Sequence, residues 1–92
     1  MSTSLTRCLE EEAAAIAAAA RRLPAYQVEA ALEQLDACAA KRAKLVITGV
    51  GKSGIVARKI AATFSSVGLM AIYLNPLDAL HGDLGVVAPD DL

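Results

Sequence analysis

The 92-residue chain has no tryptophan, one phenylalanine, two tyrosines, one histidine and two cysteines. With so few aromatic residues, the 55% hydrophobic fraction is carried mostly by alanine, which packs helices closely but buries little area per residue. The core is therefore expected to be small, and the length allows at most one small domain. One histidine and two separated cysteines do not make a metal-ligand set, so no metal site is expected. Cys8 and Cys38 form no C-x-x-C pair and are read as buried, reduced thiols in helical segments, which suits a cytoplasmic protein. The formal net charge of -1 supplies no basic field for nucleic acid or for an anionic membrane. No long apolar run is present either. Ala13 to Ala20 follows three acids, Glu10 to Glu12, and falls far short of the roughly 18 apolar residues that suggest a membrane span.

What the chain does have is a change of period. Leu5 to Leu23 reads as a helix, with Glu10 to Glu12 placed near its start and Arg21 and Arg22 at its end. A second helix is expected from Tyr26 to Lys41, burying a face made of Val28, Leu32, Leu35 and Ala39. Leu45, Val46 and Ile47 then form a short apolar run, as in a parallel strand covered on both faces. Ser53 to Val67 returns to helical spacing with Val56, Ile60, Phe64 and Val67 on the side expected to be buried, and Gly68 caps it. Met70 to Leu74 is a second strand, and the intervening helix implies parallel pairing. Asn75-Pro76 marks a turn before one helical turn that ends at His81 and Gly82. A loop with Gly85 follows, and at Leu92 the chain stands at the threshold of a third strand.

Between the first strand and the third helix lies Thr48-Gly49-Val50-Gly51-Lys52-Ser53-Gly54. A strand, a glycine turn and a helix start form an anion site, because the first amides of the helix lack partners and glycines admit a phosphate to the backbone. Gly49, Gly51 and Gly54 satisfy G-x-G-x-x-G, but the end of the second strand, Ile72 to Asn75, offers no acid for a ribose hydroxyl, which disfavours a nicotinamide cofactor. Gly51-Lys52-Ser53 imitates a nucleotide-hydrolase loop, yet Val46 stands where that motif requires glycine. A turn with a purely structural role is the remaining alternative. Lys52 opposes it, since a cation at the positive end of a helix is unfavourable unless an anion lies nearby. His81, alone, is read either as a capping residue or as part of a site beyond the strand ends.

Gly49 to Gly54, then Arg58-Lys59-Ile60-Ala61-Ala62-Thr63-Phe64, then His81-Gly82-Asp83-Leu84-Gly85 resemble the opening half of a sugar isomerase (SIS) domain of the arabinose 5-phosphate isomerase family. The resemblance implies an α/β, flavodoxin-like, doubly wound parallel sheet, truncated here and preceded by two N-terminal helices. On that basis residues 1–92 are a partial SIS domain, with a helical segment over 1–43 and a strand-loop-helix-strand unit over 44–92. It implies interconversion of D-ribulose 5-phosphate and D-arabinose 5-phosphate, ahead of the bacterial envelope sugar Kdo, without any cofactor. It assigns Lys52 and His81 to catalysis and Gly49, Gly51, Lys52, Ser53 and Gly54 to the phosphorylated pentose. The chain departs from the family at Ile55 and Asn75, where many members carry histidine. A second phosphate loop, the carbon base and regulatory CBS modules are expected after Leu92, so the isolated chain is expected to be inactive and to self-associate. The rival readings are a phosphosugar-binding module without turnover and a structural fragment that binds no sugar.

Overall fold

The computed structural model describes residues 2–92, with side chains from residue 4 onward. The chain divides into two compact units, one running to Ala31 and the other spanning Leu32–Leu92.

The first unit is helical. Helix α1, Ser2–Arg22, begins earlier than expected, so Glu10 to Glu12 fall in its middle turns and no acid lies in its first turn. Arg21 and Arg22 do occupy the last turn, where they face the negative end of the dipole. Helix α2, Ala25–Ala40, starts just after Pro24, whose carbonyl accepts from the N–H groups of Gln27 and Val28 at 3.1 and 3.2 Å. Proline is well placed there, since it has no N–H to contribute within a helix.

The expected buried face of α2 is corrected by the structure. Val28 and Leu32 are exposed, and Cys38 is the buried residue of this helix. Cys38 lies where the chain turns into the sheet, its carbonyl accepting from the Ala43 N–H at 3.1 Å. Cys8, also expected to be buried, is exposed on α1. Helical spacing gathers apolar residues onto one face, but it does not provide what covers that face.

In the second unit, strands β1, Leu45–Thr48, and β2, Ala71–Leu74, pair in parallel with Leu45 opposite Ala71 and Thr48 opposite Leu74. Helix α3, Lys52–Ser66, connects them and packs on both. Its buried residues are Gly54, Ala57 and Ala61, whereas Val56 and Ile60 are exposed, as is Val67 at its C-cap, by 75%. This reverses the face expected from the larger side chains. The small stripe at i, i+3 and i+7 lets the helix axis approach a sheet only two strands wide, and the bulky stripe is turned outward. Strand β1 is half-buried at Val46 and Ile47 rather than covered on both faces, whereas β2 buries Ala71 and Leu74.

One side chain bonds the two strands to each other, and another bonds α3 to the sheet. Thr48 Oγ1 donates to the Leu74 carbonyl at 2.5 Å, and Ser65 Oγ donates to the Ala71 carbonyl at 2.9 Å. Gly68, just past α3, has φ +99°, the left-handed conformation that ends a helix cheaply at glycine. After β2, Asn75 caps the short helix α4, Pro76–Leu80, by accepting from the Leu77 and Asp78 N–H groups at 2.9 and 3.4 Å. The loop expected around Gly85 is a 3₁₀ turn, Asp83–Val86. On the other edge of β1, the Val46 N–H donates to the Leu92 carbonyl at 2.8 Å and the Leu92 N–H donates to the Lys44 carbonyl at 3.2 Å. That alternation is the parallel ladder pattern, so β1 is bonded on both sides at this point.

Candidate functional site

The glycine turn stands at the carboxyl end of β1, the end at which open parallel sheets bind ligands. Gly51 is the N-cap of α3 with φ +64°, and no side chain caps the helix. Its carbonyl accepts from the N–H groups of Gly54 and Ile55 at 3.0 and 3.3 Å. Gly49 and Gly54 are required for space rather than for dihedral freedom. A Cβ on Gly54 would lie 2.7 Å from the Gly49 oxygen, and one on Gly49 would lie 2.8 Å from the Ser53 carbonyl carbon. Strand end and helix start therefore touch through backbone alone.

The turn separates two cavities. One, of about 380 Å³, is lined by Gly49, Gly51, Gly54, Arg58, Tyr73 and Asn75 among others. The second, of about 390 Å³, carries Lys52 and Ser53 with an apolar floor of Ile47, Val56 and Ile60. The candidate residues are thus divided, with the three glycines on one side and Lys52 and Ser53 on the other. His81 lines neither cavity. It is exposed at the C-cap of α4, with its N–H donating to the Asp78 carbonyl at 3.0 Å. Among the described residues, no cluster of three or more His, Cys, Asp or Glu is placed to hold a metal ion, and no helix is long and apolar enough to cross a membrane.

Two residues that sequence reasoning did not assign to the site contribute to the first cavity. Tyr73 Oη donates to the Gly49 carbonyl at 2.8 Å, and the Arg58 guanidinium carbon lies 4.9 Å from the centroid of the Tyr73 ring. That separation is a cation–π contact. The available signal was Arg58 four residues beyond Gly54, one turn along the same helix face.

No family model matches the chain. A curated relative, the arabinose 5-phosphate isomerase KpsF of Escherichia coli O6:H1, is 37% identical over 90 residues, which is 98% of this chain and 27% of the relative. The chain's homologues are arabinose 5-phosphate isomerases. Solved phosphosugar isomerases share the fold. A proposed phosphosugar isomerase involved in capsule formation from Bacteroides fragilis superposes with a TM-score of 0.84 at 37% identity, over 96% of this chain and 45% of that one. An Escherichia coli CFT073 protein in complex with arabinose 5-phosphate superposes with a TM-score of 0.69 at 44% identity, over 77% of this chain and 36% of that one. The chain therefore spans about a quarter of the length of its isomerase relative and less than half of either solved neighbour. The matched portion includes an α/β unit with a small parallel sheet, as in these phosphosugar isomerases.

Proposed function

We propose that the chain is the phosphosugar-binding part of an aldose–ketose isomerase acting on D-arabinose 5-phosphate and D-ribulose 5-phosphate, in a cytoplasmic route to Kdo. The observation that carries this reading is the solved relative, 44% identical, that was captured with arabinose 5-phosphate. The open first turn of α3 and the exposed Lys52 support it from within the chain. In this reading residues 1–92 are a partial SIS domain, with a helical segment over 1–43 and the sugar-binding unit over 44–92, within a doubly wound, flavodoxin-like sheet.

Interconversion moves a proton between adjacent carbons through an enediolate, a redox-neutral step that requires a carbon base, a proton relay and stabilisation of the oxyanion. Lys52 supplies the positive charge for that oxygen, and the turn with Ser53 holds the phosphate. His81 is assigned the relay, which requires the short α4 and its C-cap to come in over the turn when sugar binds. Among the described residues no carboxylate lines either cavity beside the turn. The 92-residue chain is accordingly expected to bind arabinose 5-phosphate without turning it over. An isotopic exchange assay at the sugar's C2, run beside calorimetric binding of the same sugar phosphate, tests both halves. Binding without exchange is expected, and exchange that Lys52→Ala abolishes would overturn the inactivity.

Self-association belongs to the same reading. Leu5, Leu9 and Ile16 on α1 are exposed at spacings that place them on one helix face, as are Val56 and Ile60 on α3, with the exposed Val67 at the C-cap of α3.

A further inference from the structure

The Gly49 carbonyl sits between the Tyr73 hydroxyl, which donates to it at 2.8 Å, and the bare Cα of Gly54, where a Cβ would come within 2.7 Å of its oxygen. Among the described residues no peptide bond is cis. In a planar trans peptide the carbonyl and the following N–H point in opposite directions. A Gly49 carbonyl held inward against Tyr73 therefore turns the Val50 N–H outward. Among the described residues nothing accepts from that N–H, and Val50 itself is 77% exposed. Glycines on both sides of Val50 would otherwise make this peptide easy to flip, and a flipped peptide presents a carbonyl oxygen to the ligand instead.

From this geometry we infer that Tyr73 is a positioning residue for anion binding: by holding the Gly49 carbonyl, its hydroxyl aims the Val50 N–H at the phosphate of the bound sugar. The inference rests on the phosphosugar reading above. The Arg58 guanidinium lies over the Tyr73 ring, 4.9 Å from its centroid, a contact made by the ring and not by the hydroxyl. Ring and hydroxyl thus have separable effects. Tyr73→Phe retains the stack and removes the one bond that sets the peptide's orientation.

The test is an amide NMR titration of the full chain and of Tyr73→Phe with arabinose 5-phosphate, with inorganic phosphate, and with D-arabinose as the uncharged control. In the unsubstituted chain, arabinose 5-phosphate and inorganic phosphate are expected to move the Val50 amide proton downfield, and D-arabinose to leave it unmoved. In Tyr73→Phe the Val50 shift is expected to be lost and affinity for arabinose 5-phosphate to fall about fivefold, the size of one neutral hydrogen bond. Retained dispersion and helical circular dichroism in the variant would show that the loss is local. Equal affinity and an equal Val50 shift in both proteins would overturn the role of Tyr73 while leaving the phosphosugar reading intact. Absence of arabinose 5-phosphate binding to the unsubstituted chain would overturn both, and a variant that no longer folds would show Tyr73 to be a structural residue and reject the positioning role.

Discussion

The carboxylate of Asp91 engages Lys44 twice: Oδ1 accepts from the Lys44 backbone N–H at 3.0 Å, and Oδ2 lies 2.6 Å from its Nζ. Oδ2 also accepts from the Ala88 N–H at 2.8 Å, closing the turn before Leu92 and setting Leu92 against the edge of β1. The side chain hydrogen bond from Lys44, followed by the backbone N–H groups of Ala88 and Lys44, lowers the Asp91 pKa from 3.8 to about 2.

Acid should release this clasp. A carboxyl whose folded pKa is depressed stabilises the fold fully above its unfolded pKa, and that contribution is lost as pH falls through the folded value. Stability is therefore expected to decline between about pH 4 and pH 2. Asp91→Asn should be less stable at pH 6 and should show a flatter decline across that window. Urea titrations of both proteins at pH 6, 4 and 2 check this, and parallel pH profiles would remove Asp91 as the cause.

Gly54→Ala places a methyl carbon against the Gly49 oxygen and the Tyr73 hydroxyl, at 2.7 and 2.9 Å. Backbone on one side leaves it no room to yield, so a loss of about 1–3 kcal/mol is expected from overpacking. Gly51→Ala should also destabilise, but for a different reason, because its Cβ would meet nothing while its φ of +64° disfavours any side chain. Thermal unfolding of the two variants measures both losses.

Lys52 is exposed, so Lys52→Ala should change stability by less than about 0.5 kcal/mol. Its affinity for arabinose 5-phosphate should fall about tenfold, the scale of one charge-assisted hydrogen bond. Calorimetry with the variant and its parent reads this directly. Unchanged affinity would reduce Lys52 to an ornament of the turn.

The exposed stripes on α1 and α3 should drive the chain into dimers or larger assemblies at micromolar concentration. Ile16→Glu and Val67→Glu, each placed on an apolar residue that is more than 70% exposed, should shift the population toward monomer without loss of helical content. Light scattering distinguishes the outcomes, and a cooperatively unfolding monomer of the parent chain would reject the self-association.

The strand–turn–helix–strand unit was legible because β1 and β2 are short apolar runs punctuated by Gly49 and by the Asn75-Pro76 turn, signals that act over a few residues. Which face of α3 meets the sheet was not legible. Periodicity ranks faces by hydrophobicity and favoured Val56 and Ile60, whereas the close approach selected Gly54, Ala57 and Ala61 for their small size. Burial of Cys8 and of the α2 face failed for a related reason, since a helix face carries no record of what covers it. The links from Tyr73 to Gly49 and from Asp91 to Lys44 join residues 24 and 47 positions apart, beyond any local pattern. The glycine turn itself was visible at once, but its division of Lys52 and Ser53 from the Arg58 side emerges only with the helix in place.

The central claim is that the turn from Gly49 to Ser53 receives a phosphosugar, and residue-resolved amide NMR with arabinose 5-phosphate tests it most directly. The account predicts saturable shifts concentrated on the amides of Val50, Gly51, Lys52 and Ser53, absent with D-arabinose and weakened by Lys52→Ala. Saturable binding that leaves those amides unmoved, or no binding of arabinose 5-phosphate at millimolar concentration, would contradict it.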